Sequence, residues 1–183
     1  ADQSTDFGKT LALGSAGAAQ KLGKGAEYLI TVKGIELPMH DPRLGPGFTR
    51  TYAMDPTPAR HVKGGLGLQH MQISDPSKYD PEGKGQADLE ATVAQEIINT
   101  AGLCLFKNFT GVQNIARKLI PPVTGWHFDA EEERNAGLRI FHMRHAFNLR
   151  EGMKPGDFPL PKRSVGEPPQ TEGPLKGVTV DYK

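Results

Sequence analysis

Cys104 is the single cysteine of the chain, and it stands in Asn99-Thr-Ala-Gly-Leu-Cys-Leu-Phe106. Gly102 precedes it and Leu103 and Leu105 bracket it, at the close of a stretch with helical periodicity. A thiol beside a glycine at a helix end can turn its sulfur toward a bulky group. It can equally be a small buried hydrophobe, and on local evidence that is the simpler reading. A nucleophilic thiolate needs a base, and His61, His127, His142 and His145 stand at no diagnostic spacing from it. An iron–sulfur cluster takes about four cysteine ligands, so this chain can contribute one ligand but cannot hold a cluster alone.

Other residues carry weaker signals. His61 and Lys63 precede Gly64-Gly65, a context that suits contact with an anion through an ammonium and free backbone N–H groups. Solvated polar residues beside a turn explain them as well. His142 and His145 lie three apart, as a helical metal pair would, but no third ligand stands at a matching offset, and they read as partly exposed helix residues. Arg144 and Arg150 are read as holding carbonyls of neighbouring loops, and Asp157 as part of a structural strap.

The elements that must position these residues are mostly helices. Phe7–Leu22 reads as one helix closed by Gly23, and Leu29–Leu37 as a short extended segment, carried by residues 28–32 and ended by Gly34 and Pro38. Pro38–Gly47 is a loop, and Phe48–Met54 begins a helix or turn. Asp55-Pro56 fits an N-cap with proline at the first helical position, which puts His61 and Lys63 in the early turns of a further helix. Ser74–Gln86 is a polar loop. Asp88–Ala101 is amphipathic, with Leu89, Val93, Ile97 and Ile98 inward and Glu90, Gln95 and Glu96 toward water. Val112–Ile120 is a helix stopped by Pro121-Pro122. Asp129 caps another, with Glu131, Glu132 and Glu133 in its first turn, reaching about Asn148 and burying Leu138, Phe141 and Phe147 or Met143. The proline-rich remainder is an extended strap. The fold class expected is mainly α, a multihelical domain with long ordered loops.

Composition agrees with a globular chain. Hydrophobic residues make up 37% and charged residues 23% of the 183 positions, enough for a buried core. With 22 basic against 21 acidic side chains, nothing indicates a nucleic-acid or membrane footprint. A single cysteine excludes an internal disulfide framework and suits a reducing cytoplasm.

Several stretches, in order, resemble the C-terminal region of the aldehyde ferredoxin oxidoreductases, the tungsten-pterin enzymes. They are Val32-Lys-Gly-Ile-Glu-Leu-Pro38 followed by His40-Asp-Pro-Arg43, then Tyr52-Ala53 with His61. The Gly102-Leu103-Cys104 box, Thr124-Gly-Trp126 and Phe147-Asn-Leu-Arg-Glu-Gly152 follow, with Asp157 and Leu160-Pro-Lys-Arg163 after them. The resemblance implies that residues 1–183 are the C-terminal helical domain of a larger tungstopterin oxidoreductase, cut at both ends. It implies tungstopterin or molybdopterin beside a 4Fe–4S cluster, with Cys104 as the cluster's fourth ligand. His61 matches a proton-transferring histidine beside the metal. Lys63, Asn99, Leu103 and Leu105 match pterin contacts. The implied activity oxidises aldehydes to carboxylic acids with ferredoxin as acceptor, in the cytoplasm, with partners in the enzyme's N-terminal domains and in a homo-oligomer. This sequence departs from the family at Thr57, where many members carry a pterin-binding arginine, and at Asn99, where they carry an aspartate. The Asp55-Pro-Thr-Pro58 segment resembles relatives that reduce aromatic acyl-CoA thioesters, so that activity stands as an alternative. A non-catalytic helical binding or assembly module stands as another.

Overall fold

Two hydrophobic clusters organise the chain, each gathered around a different helix. The computed structural model describes residues 3–57, 59–106, 111–154 and 156–181. Among them are seven α-helices: α1 Asp6–Leu11, α2 Gly14–Leu22, α3 Gly47–Met54, α4 Gly67–His70, α5 Lys84–Thr100, α6 Ile115–Thr124 and α7 Ala130–Arg150. One hairpin, β1 Thr31–Val32 with β2 Ile35–Glu36, is antiparallel with Val32 opposite Ile35. The mainly α expectation holds. No helix among the described residues is long and apolar enough to cross a membrane.

The hairpin turns at Lys33 (φ 53°) and Gly34 (φ 71°), the pair of left-handed residues that a tight turn between twisted strands requires. The first cluster joins Val32 to Phe48 and Tyr52 of α3, with Ala59, Leu160 and Val165. The proline-rich strap is therefore more than a surface cover. Leu160 and Val165 are core residues, and Val180 N–H donates to the Val165 carbonyl at 2.9 Å. The second cluster holds Ile97 and Ile98 of α5 against Ala116 of α6, with Leu103, Phe128 and Ile140 packed on it.

The structure corrects several boundaries. Residues 7–22 form two helices, because Gly14 takes φ 73° and breaks the run. No helix starts at Asp55. That residue is the extended C-cap of α3, and its Oδ1 accepts from the Thr57 N–H and Oγ1–H, each at 2.8 Å. A carboxylate committed to this local turn caps nothing further, and Ala59 follows at φ 65°. Pro58 of that segment lies outside the described residues. Helix α5 begins four residues before Asp88. Helix α6 runs through Pro121 and Pro122 to Thr124. The two N–H groups that these prolines lack would have bonded the carbonyls of Arg117 and Lys118, and exposed Lys118 lets water replace one of them.

Helix α7 is capped as expected, Asp129 Oδ1 accepting from the Glu132 N–H at 2.9 Å, but it buries a different stripe. Met143 and Phe147 are exposed, and its fully buried residue is Gly137. A Cβ on Gly137 would stand 2.5 Å from the Val93 carbonyl oxygen, so the two helices pack backbone against backbone there. Facing α5, α7 also presents Arg144. Its guanidinium reaches Glu96 with Nη1, and with Nη2 reaches Asp55 Oδ1 at 3.2 Å and Thr57 Oγ1 at 3.0 Å. Glu96 is thus buried against a cation and does not face water. Arg144 binds carboxylates where loop carbonyls were expected, and Arg150 pairs with its neighbour Glu151 at 2.9 Å.

Candidate active-site cleft

Beside the second cluster lies a cleft of about 640 Å³. One wall is the segment from His61 to Gln72. The other is α5 with Leu105 and Phe106, closed at one end by the start of α6. The segment lies close to both α3 and α5 because it is glycine-rich. Gly64 has φ 141°, and a Cβ there would stand 2.5 Å from the Cα of Thr92; Gly65 has φ 75°, with Thr51 Oγ1 at 2.3 Å from a Cβ. Side chains fasten what the glycines allow. The Gly65 N–H donates to Thr92 Oγ1 and the Leu66 N–H to Asp88 Oδ1, each at 3.0 Å. Asp88 is in turn paired with Arg50 of α3 at 3.3 Å. The cleft wall is thus tied to both helices by hydrogen bonds.

His61 lines this cleft half-buried. Its ring meets His40 edge-on with centroids 4.6 Å apart. Burial first, and the neighbouring His40 second, hold its pKa below the ordinary 6.5. The imidazole is therefore neutral near pH 7, with one ring nitrogen free to accept a proton. Across the cleft, Arg117 and Glu133 face each other at 2.8 Å, off the N–H axis and so as an ion contact. Gln95, Ile98 and Ile115 complete the floor.

The other predicted residues distribute around it. Leu105 lines the cleft with His61. Helix α5 ends in a glycine-terminated turn, in which the Gly102 N–H donates to the Asn99 carbonyl and the Leu103 N–H to the Ile98 carbonyl at 3.0 Å. This is the paired bond pattern of a left-handed helix cap, with Gly102 at φ 69°. It folds Leu103 back onto the second cluster and sends Cys104 outward. Cys104 is exposed, so it is not core filler. Asn99 is half-buried, its Oδ1 accepting from Gln95 Nε2 at 3.2 Å. Its Nδ2 is buried and has no acceptor. Lys63 shares the wall segment but does not line the cleft. His142 is exposed and His145 packs on Phe141 at 4.5 Å. No group of three or more His, Cys, Asp or Glu able to hold a metal occurs among the described residues.

The family model for aldehyde ferredoxin oxidoreductase, domains 2 and 3, matches residues 1–183. The chain belongs to that family. It is 35% identical over 182 residues to the tungsten-containing aldehyde ferredoxin oxidoreductase of Pyrococcus furiosus, and 33% identical over 183 residues to that of Thermococcus kodakarensis. The corresponding Pyrococcus abyssi protein is 33% identical over 182 residues. Each match covers 97% of this chain and 30% of the relative, so the chain spans about three-tenths of the length of the curated relatives it matches. In this family frame the residues present fit a pterin-bound metal beside a cluster. One exposed thiol is available to a cluster, the buried Asn99 amide N–H that lacks an acceptor stands five residues before it across the glycine turn, and a neutral histidine lines the adjoining cleft.

His40, Gln95, Arg117 and Glu133 were not singled out as site residues from the sequence. His40 lies in a motif that carried the resemblance, and Gln95 stands one turn before Asn99 on α5. Those two signals were available. Arg117 and Glu133 come from different helices, and only the packing of α6 on α7 brings them to the cleft.

Proposed function

We propose that this chain is the C-terminal, cofactor-contacting part of a tungstopterin oxidoreductase that converts aldehydes to carboxylic acids with ferredoxin as electron acceptor. The observation that carries the reading is the cleft that sets neutral His61 opposite Leu105, one residue from the exposed Cys104, in a chain the family model matches end to end. Tungsten enters from the relatives' own description. Cys104 would ligate the cluster, and Lys63, Asn99, Leu103 and Leu105 would hold the pterin, Asn99 with the N–H that now lacks an acceptor. Bound there, the pterin-held metal would supply the two-electron redox chemistry and the 4Fe–4S cluster a path for those electrons toward ferredoxin. The protein's own part is acid–base. Aldehyde and water yield carboxylate with release of protons, and the neutral imidazole of His61 accepts one of them. Among the exposed apolar side chains are Met39, Val123 and Trp126, which supports packing against the remaining domains or a second subunit. A cytoplasmic location goes with ferredoxin as acceptor.

The test is anaerobic purification of the full-length protein, followed by metal analysis and turnover of aldehydes against aromatic acyl thioesters. Tungsten or molybdenum with iron, and aldehyde-dependent reduction of ferredoxin, support the reading. Turnover of thioesters alone moves the assignment to the ring-reducing relatives, and absence of all three metals leaves a binding module. Cys104→Ala should remove or convert the cluster, and an unchanged cluster EPR signal would sink its ligand role.

A further inference from the structure

His61 does not stand alone in the cleft wall. The His40 ring stacks on Phe48 with centroids 5.4 Å apart and planes 9° from parallel. Phe48 stacks in the same way on Tyr52, at 5.4 Å and 10°. Phe48 and Tyr52 are fully buried on successive turns of α3. The Tyr52 hydroxyl donates to the His40 carbonyl at 3.0 Å and closes the column on itself. His61 meets the outer end of this column edge-on, 4.6 Å from His40 and 6.4 Å from Phe48. The column is rooted in the first hydrophobic cluster, so its outer ring presents His61 with a fixed surface.

We propose that His40 is a positioning residue, holding the His61 imidazole in the orientation from which it exchanges its proton. This rests on the proton-transfer role proposed for His61. A second imidazole fixes the first by an edge contact, as any aromatic ring there would. Unlike an apolar ring it also opposes the gain of positive charge on His61, in line with that residue's depressed pKa. Arg117 and Glu133, paired with each other, line the same cleft, and Arg60 and Lys63 flank His61 on its own segment. None of them changes when His40 is replaced.

The test compares His40→Phe and His40→Ala in the full-length holoenzyme. Two readouts are followed: the pH profile of kcat/KM, and the pH profile of carbethoxylation of His61 by diethyl pyrocarbonate, read by mass spectrometry. His40→Ala, which ends the column, should lower plateau kcat/KM on the order of ten- to a hundredfold through misorientation of the base, with tungsten and iron content retained. His40→Phe keeps a ring on Phe48 and should recover most of that loss. It should also move the acid limb and the His61 modification midpoint to higher pH. A His40→Ala plateau equal to wild type, or modification midpoints that coincide in all three proteins, would overturn the proposal. If the wild-type protein holds no tungsten and oxidises no aldehyde, the proposed function fails and the proton-transfer role with it. The modification profiles then still decide whether His40 governs His61.

Discussion

His70 Nδ1 accepts the backbone N–H of Gly47 at 3.0 Å, a bond between the last residue of α4 and the first of α3 in the interior of the protein. Accepting at this nitrogen requires a neutral ring. Burial, with Lys84, Arg50 and Lys78 nearby, pushes the His70 pKa from 6.5 down to about 4.

That difference sets a pH dependence of stability. Between about pH 4 and 6.5 the unfolded chain binds a proton at His70 that the folded chain does not, so stability falls as pH falls through this window. The whole effect is about 3 kcal/mol from the size of the shift. His70→Asn keeps an acceptor near the Nδ1 position and does not titrate. Urea unfolding of the variant should therefore vary less between pH 7 and pH 4.5 than that of wild type. Equal slopes would show that another group controls the acid limb.

Gly137→Ala should destabilise. The helix-propensity gain of about 1 kcal/mol is outweighed by a Cβ placed 2.5 Å from the Val93 carbonyl oxygen, where overpacking costs about 1–3 kcal/mol. Thermal melts decide the sign, and a raised Tm would mean that α7 can move away from α5 without loss.

Arg144→Met removes the cation that faces both Asp55 and Glu96. Two buried carboxylates are left uncompensated, a loss on the order of 3–5 kcal/mol. The double variant with Glu96→Gln should recover part of it, as measured by denaturant midpoints, because one of the stranded charges is then gone. No recovery would place the importance of Arg144 in its contact with Asp55 and Thr57.

His61→Ala in the full-length enzyme should lower kcat/KM by about a hundredfold or more while metal content holds, the size expected when a positioned acid–base group is lost. Wild-type turnover would remove His61 from proton transfer.

The sequence was most legible where local chemistry decides conformation. Gly23, Asp129 and the glycine-closed end of α5 each form the cap that their residue types indicate. It misled where a distant partner competes. Asp55 has the form of a helix cap, but Arg144, 89 residues away in sequence, claims the same carboxylate, and Thr57 completes a turn in place of a helix. Glu96 has the spacing of a solvent-facing residue and is buried for the same reason. The cleft was half legible: His61 and Leu105 were named, but their meeting depends on Gly64 and Gly65 fitting between α3 and α5, which no spacing rule encodes.

The bonds of residues 64–66 to Thr51 on one side and to Thr92 and Asp88 on the other give the cleft wall two owners. Sub-global opening of either half then releases His61. Amide exchange along the wall should follow whichever cooperative unit opens more readily, so reinforcing the other leaves the site's lifetime unchanged.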